Sequence, residues 1–324
     1  MKLGDLGEFS FLRRLRARVP VDRGVVLGLG DDCAVVSPLG LTLLTTDVLI
    51  EGVHFRREWT TFALLGEKAF AVNASDIAAM GGEPTFALLS LAIPRTCEVE
   101  ELEAFFDGFL RAAAPAGTAL VGGNLSAAPC VIISVTLLGR APYGTITRAG
   151  ARVGDDLYVT GTIGDAALGL RLLQEGREEP LAQQSKARFL CPAARLMLGQ
   201  EIAARRLATA MIDISDGLLQ DLEHLCEESQ VGAIIEAAAL PLSPAYRTLV
   251  GEQDWSIALT GGEDYELLFT APPEQRAKIQ TLAYEADCPI TRIGGIVPQA
   301  EQIKVCGPDG TVSAPRHWGY DHFR

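Results

Sequence analysis

Ala71-Val72-Asn73-Ala74-Ser75-Asp76-Ile77-Ala78-Ala79-Met80-Gly81-Gly82 is written almost wholly in small and apolar residues, yet it carries one carboxylate, Asp76. The stretch reads as the end of a helix over Thr61–Met80, with small residues on much of its surface and a glycine pair to stop it. Working outward, Thr85–Ile93 reads as a strand ended by Pro94, and Leu41–Thr46 as a strand on the other side. Glu98–Ala114 places Leu102, Phe105, Phe106, Phe109 and Leu110 at helical spacing, the mark of an amphipathic helix. Strands at Thr118–Val121 and Val131–Leu138 follow, and Gly122-Gly123 reads as a turn between them. The first half is therefore a mixed α+β unit.

Composition shifts to Gly, Pro, Thr and Arg over Gly139–Gly154, which marks a domain boundary. The expected domains are 1–140 and 141–324, in keeping with a 324-residue chain longer than one average domain. The second half opens with a strand Asp156–Thr160, a turn Gly161–Asp165 and a helix from Ala166. Its later elements are a helix near Ala193–Ala208, a strand Ala210–Ile214 and a helix Gly217–Glu228. Strands Trp255–Thr260 and Tyr265–Thr270 frame a second glycine pair. There is no short-period repeat and no low-complexity tract.

Bulk composition narrows the function. A 48% hydrophobic content supplies ample core, and no apolar run approaches the length of a spanning helix. The first residues lack the pattern of a signal peptide, so a soluble, cytoplasmic protein is expected. Seven cysteines without Cys-x-x-Cys spacing oppose a disulfide framework or a zinc ribbon. A net charge of −13 opposes nucleic-acid or anionic-membrane binding. The basic run Arg13-Arg14-Leu15-Arg16-Ala17-Arg18 reads as the solvated face of a first helix, or as a contact for phosphates or a partner subunit. If so acidic a chain binds a polyphosphate, divalent cations must offset the repulsion.

Four segments place carboxylates beside Gly, Ser or Thr at element ends: Gly28-Leu29-Gly30-Asp31-Asp32, Thr45-Thr46-Asp47, Asn73-Ala74-Ser75-Asp76 and Asp213-Ile214-Ser215-Asp216-Gly217. Oxygen donors scattered in sequence suit magnesium, which takes one or two carboxylates and completes its shell with phosphate oxygens and water. The bland alternatives are turns and helix caps, and Asp216 fits an N-cap well. No EF-hand spacing and no P-loop are present, and Gly28-Leu29-Gly30 is a weak dinucleotide signal. Thr160–Asp165 could bind an anion at a helix start but reads better as a tight structural turn. Arg148, in Thr147-Arg148-Ala149-Gly150, has the fork that suits phosphate. His54 follows an acidic strand end closely enough to share its site. Gly261-Gly262-Glu263-Asp264-Tyr265 reads as a hairpin tip, which explains the glycines but not the two acids after them. No nucleophile has an activating context, so no covalent intermediate is expected, and direct phosphoryl transfer fits a metal-plus-arginine set.

Taken together, these motifs resemble the thiamine-monophosphate kinase family. The resemblance rests on Gly-Asp-Asp-Cys-Ala at 30–34, Thr-Thr-Asp at 45–47 and Gly-Val-His-Phe at 52–55. It continues through Ala-Val-Asn-Ala-Ser-Asp at 71–76, Thr-Arg-Ala-Gly at 147–150 and Ile-Asp-Ile-Ser-Asp-Gly-Leu at 212–218. Gly-Gly-Glu-Asp-Tyr-Glu-Leu at 261–267 and Gly-Tyr-Asp-His-Phe at 319–323 complete it. It implies an α/β subunit of the aminoimidazole ribonucleotide synthetase-like type, with two domains and a homodimer formed by pairing N-terminal sheets. It implies ATP and magnesium, and conversion of thiamine monophosphate to thiamine diphosphate by direct in-line transfer. Metal positions would be Asp32, Thr45, Thr46, Asp47, Asp76, Asp213 and Asp216, and ATP contacts Gly122, Gly123, Arg148 and Ser215. Substrate contacts would be His54, Glu263 and an aromatic, Trp318 or else Tyr320, against the flat cationic thiazolium. Family members often carry Gly-Gly-Asp where this chain has Gly122-Gly123-Asn124, so Asn124 would be a weaker metal ligand than a carboxylate. Two other readings compete: another ATP-using enzyme of the same superfamily, and a non-catalytic acidic metal-binding protein.

Overall fold

The computed structural model describes residues 40–315 and 317–320, with Arg14, Leu15, Arg18 and Val19 and the backbone of 25–27 and 35–36. Asp32, and with it the whole 30–34 motif, lies outside the described residues. The chain forms two compact units, Met1–Ile77 with Gly82–Pro142, and Ala78–Gly81 with Tyr143–Arg324. Among the described residues, no helix is long and apolar enough to cross a membrane.

The first unit begins with an antiparallel pair, β1 (Val25–Leu27) and β2 (Val35–Val36). Its main sheet holds β3 (Thr42–Ile50), β4 (Glu83–Ile93), β5 (Ala119–Ala127) and β6 (Ile132–Arg140) in the order β3-β6-β4-β5. β6 runs antiparallel to both neighbours, and β4 parallel to β5, so the sheet is mixed. Alternation divides its residues between two faces. Leu49, Leu89, Leu91, Ile133, Val135 and Leu137 are buried, whereas Leu44, Val48 and Leu88 of the opposite parity are exposed.

Two helices, Phe62–Ala79 and Val99–Ala113, pack on each other in this unit. Phe70 and Phe109 meet edge to face at 5.7 Å. The small residues now have a reason: a Cβ on Gly66 would lie 2.1 Å from the Phe105 carbonyl oxygen, and one on Gly108 1.9 Å from that of Ala63. Backbone meets backbone at both crossings, so neither helix can yield locally. Gly108→Ala is therefore expected to cost about 1–3 kcal/mol of stability through overpacking, read as a fall in the urea midpoint. On the outer side of Val99–Ala113, Arg14 reaches Glu103 at 3.5 Å and Arg18 pairs with Asp107.

The glycine pair Gly122-Gly123 is not a turn, which corrects the expectation from sequence. It lies inside β5, where the register with β4 slips by one residue between Ala87 and Leu88. The slip is a bulge, and a Cβ on Gly123 would fall 1.9 Å from the Leu89 carbonyl oxygen. Glycine is there for close approach, not chain reversal.

The second unit is built on a seven-stranded sheet of β7 (Asp156–Thr160), β8 (Ala210–Asp213), β9 (Val231–Glu236), β10 (Leu267–Ala271), β11 (Ile290–Pro298), β12 (Ile303–Cys306) and β13 (Val312–Ser313). Their order is β13-β12-β9-β11-β7-β10-β8, antiparallel throughout except between β12 and β9. Helices Asp165–Gln174, Pro180–Leu190, Leu196–Ala204, Leu218–Ser229 and Arg276–Glu285 accompany it. The segment expected as a strand at Trp255–Thr260 is instead a helix, Ser256–Thr260. Its alternating pattern is strand-like, but Asp254 accepts the Ser256 N–H at 3.0 Å and starts a helical turn. Ala258 is then fully buried, with its N–H on the Tyr246 hydroxyl at 3.1 Å. Tertiary packing outweighs local pattern here.

Asp156, 2% exposed, takes the Arg276 guanidinium at 2.6 and 2.7 Å and that of Arg292 at 2.7 Å. The arginines, Arg276 foremost, hold its carboxyl down at about 2 against an ordinary 3.8. Because the folded value is the lower one, this pairing stabilises fully above pH 3.8 and is lost as pH falls through about 2. Asp156→Asn should flatten that acid limb of the stability profile, measured by urea melts between those values.

Candidate functional site

In the first unit, Thr45, Asp47 and Leu49 share one face of β3, and Leu49 is buried. The Thr45 hydroxyl donates to the Asp76 carboxylate from the Phe62–Ala79 helix. One turn earlier on that helix, buried Asn73 accepts the Asp47 N–H at 3.0 Å and donates its amide to the Ala69 carbonyl at 3.1 Å. Strand and helix are thus stitched together where Thr45, Asp47 and Asp76 lie, and Asn73 is the stitch. Thr46 points to the other face, donating to the Val135 carbonyl at 2.9 Å and accepting from Thr136 at 3.1 Å.

His54 closes the turn after β3, its Nδ1 accepting the Ile50 N–H at 3.0 Å, so the neutral ring carries its proton on Nε2. Asn124 is exposed, pairs with Ser90 across β4 and donates to Ser126 at 2.9 Å. Its parity puts it on the open face with Thr46, opposite Asp47. The structure therefore gathers Thr45, Asp47 and Asp76, but neither Thr46 nor Asn124 with them. A cavity of about 670 Å³ in this unit is lined by Arg57, Thr61, Phe62 and Glu101, and none of the site residues lines it.

In the second unit, β8 ends at Asp213, which is 4% exposed. The loop after it is bonded on every side. Ile214 donates to the Glu266 carbonyl at 2.8 Å; Tyr265 and Glu263 donate to the carbonyls of Ile214 and Ser215, both at 2.8 Å. The Tyr320 N–H reaches the Asp216 carbonyl at 2.9 Å. These bonds bring Asp213, Ser215, Asp216, Glu263 and Tyr320 into one neighbourhood. Tyr320 is 50% exposed, while Trp318 is packed against the core.

The hairpin expected at Gly261–Tyr265 is a loop from a helix into β10. Gly262 is required because a Cβ would lie 2.4 Å from the Ser215 carbonyl oxygen. Glu263 and Tyr265 both hold positive φ, 73° and 51°, which for side chains of this size marks strain kept by the surroundings. Between them, buried Asp264 accepts the N–H groups of Gly164 and Ala166 at 2.6 and 3.2 Å. Burial pushes its carboxyl up to about 7. The helix start at Thr160–Asp165 is thus already filled by Asp264, and the turn is structural. Asp216 is not the helix cap either: Gly217 holds the N-cap position, and Asp221, inside the helix, accepts N–H groups of the loop ahead of it; burial with the charges of Asp213 and Asp216 raises its carboxyl well above the usual range.

Arg148 is exposed, and its loop is tied to β8 by Met211 N–H on the Thr147 carbonyl at 3.0 Å. The Ser229 hydroxyl donates to the Arg148 carbonyl at 2.7 Å. Among the described residues, no three His, Cys, Asp or Glu side chains converge as a chelating set. The donors gathered are carboxylates and hydroxyls in small groups, the oxygen chemistry of a hard cation that shares its shell with phosphate.

Sequence reading missed Asp221 and the buried Glu266, and gave Asn73 and Asp264 no role. Asp221, in the first turn of its helix, carried the one available signal, since acids favour that place.

Residues 30–141 match the N-terminal domain of AIR synthase related proteins, and residues 152–306 the C-terminal domain. One domain of each kind, in order, defines a two-domain subunit of that class. Thiamine-monophosphate kinase of Escherichia coli O157:H7 is 40% identical over 98% of both chains. The crystal structure of thiamine-monophosphate kinase from Stenotrophomonas maltophilia K279a superposes with a TM-score of 0.85, at 39% identity over 95% of this chain and 98% of that one. A structure of AaThiL complexed with AMPPCP and TMP has a TM-score of 0.76, at 36% identity over 99% of each chain. The chain belongs to the thiamine-monophosphate kinase family.

Proposed function

We propose that the chain transfers the γ-phosphoryl group of ATP to thiamine monophosphate, yielding ADP and thiamine diphosphate, in the cytoplasm and with magnesium. The observation that carries this reading is the match over 99% of both chains to a relative complexed with an ATP analogue and TMP. The substrate phosphate attacks in line as the bond from the γ-phosphorus to the bridging oxygen of ADP breaks. The sequence gives no nucleophile an activating context, which supports direct transfer without a phospho-enzyme.

The residues that would hold magnesium are Asp32, Thr45, Thr46, Asp47 and Asp76 from the first unit and Asp213 and Asp216 from the second. Thr46 and Asn124, both on the other face of the sheet, have the smallest part. When bound, the metal offsets phosphate charge in a chain of net charge −13. Arg148 supplies a planar fork for phosphate oxygens, while Gly122, Gly123 and Ser215 line the nucleotide. His54 and Glu263 hold the thiamine phosphate. Of the two aromatics Tyr320 is the better stacking partner, because Trp318 is committed to the core.

The open face of the first sheet, with Leu44, Val48 and Leu88 exposed, supports a homodimer formed by pairing that sheet with a second copy. The functional reading is tested with a panel of acceptors under ATP and magnesium. Thiamine monophosphate should be consumed with stoichiometric ADP while free thiamine is not; consumption of thiamine alone would contradict it.

A further inference from the structure

We infer that Asp221 is a positioning residue that gives the Asp213–Gly217 loop the shape in which Asp213, Ser215 and Asp216 face their ligands. The inference rests on the kinase reading for one of its two readouts. Asp221 is 2% exposed. Its Oδ2 accepts three consecutive backbone N–H groups, from Ser215 at 3.0 Å and from Asp216 and Gly217 at 3.1 Å. Three amides converging on one point form a nest of the kind that binds an external phosphate. Here the chain fills its own nest with a carboxylate, so the backbone of this loop has no such vacancy to offer a nucleotide.

The opposite rim of the loop is equally committed. The carbonyls of 214, 215 and 216 accept from Tyr265, Glu263 and Tyr320, and the Ile214 N–H donates to Glu266. What remains for ligands is side chains. Gly217, at φ 122°, permits the sharp entry into the helix that brings its own N–H onto Asp221.

An ordinary acid in a helix's first turn complements the dipole loosely from the surface. Asp221 instead is buried beside two further acids of the same segment, Asp213 and Asp216. A carboxylate held there against like charge has a more specific task than capping. Remove it, and the three amides lose the point on which they converge, so the flanking side chains lose their common aim.

The test compares the full-length wild type with Asp221→Asn and Asp221→Ala. One readout is the Mg²⁺ concentration for half-maximal thiamine diphosphate formation at saturating ATP and thiamine monophosphate. The other is hydrogen exchange at amides 215–217 in the free protein. Asp221→Ala should raise the Mg²⁺ requirement about tenfold, and Asp221→Asn, which keeps an acceptor oxygen, roughly threefold. Exchange at 215–217 should quicken in the same order. An unchanged Mg²⁺ requirement in both variants, even with faster exchange, would reduce Asp221 to a cap and overturn the proposal. Should Asp221→Ala fail to fold, Asp221→Asn decides alone: a raised requirement supports the proposal and an unchanged one overturns it. Should wild type form no thiamine diphosphate, the kinase reading fails by itself. The Mg²⁺ concentration giving half the Mg²⁺-induced rise in Tm then replaces turnover, with the same shifts expected and the same null result overturning.

Discussion

Asp47→Asn is expected to lower thiamine diphosphate formation by about 10²-fold or more while leaving the fold intact. Asp47 is exposed, and its bond to the neighbouring helix is made through its backbone N–H to Asn73, which the substitution preserves. The side chain changes only from an anion to a neutral amide of the same shape. A surface change of this sort costs within about 0.5 kcal/mol of stability. A carboxylate that holds a cation is another matter, since its charge is what offsets the phosphates. Steady-state kinetics with a urea melt on the same preparation separates the two. Near wild-type turnover would show that the proposed metal residues of the first unit are wrongly assigned.

The largest stability effect is expected at Glu266. Its side chain is wholly buried and accepts from the Thr160 hydroxyl at 2.6 Å, from Arg195 Nε at 2.6 Å and from Arg188. Both guanidiniums are themselves about three-quarters buried, with 25% and 21% of their side chains exposed. Glu266→Ala leaves two half-desolvated cations facing each other across a void. Breaking a buried ionic group in this way costs about 3–5 kcal/mol. The loss reaches the site as well, because the Glu266 carbonyl anchors Ile214 and its neighbours Tyr265 and Glu263 hold the 214–215 carbonyls. Urea unfolding measures the loss, and a change below about 1 kcal/mol would contradict this account.

Much of the architecture was legible because it rests on local pattern. The helices at Phe62–Ala79 and Val99–Ala113 and the β8-to-helix segment follow from periodicity and punctuation. The carboxylates stood out against their apolar or glycine-rich surroundings, which is what singled out Asp47, Asp76 and Asp213 as candidates. What escaped depends on long-range contact. Gly122-Gly123 looked like a turn because glycine serves both for reversal and for close approach, and only the Leu89 carbonyl tells the two apart. Trp255–Thr260 alternates like a strand, yet burying Ala258 against Tyr246 favours a helix. Asp264 stood unexplained beside a glycine pair and Asp221 was passed over, since the local sequence does not say that their partners are amides from another turn or element. Ala78–Gly81 packs with the second unit, and no shift in composition marks that exchange.

The most direct test is incubation of the purified chain with ATP, Mg²⁺ and thiamine monophosphate, followed by chromatography of the thiamine esters. The account predicts thiamine diphosphate and ADP in equal amounts, with both lost when the metal is chelated. ADP released without thiamine diphosphate, or no product at high enzyme concentration, would contradict it.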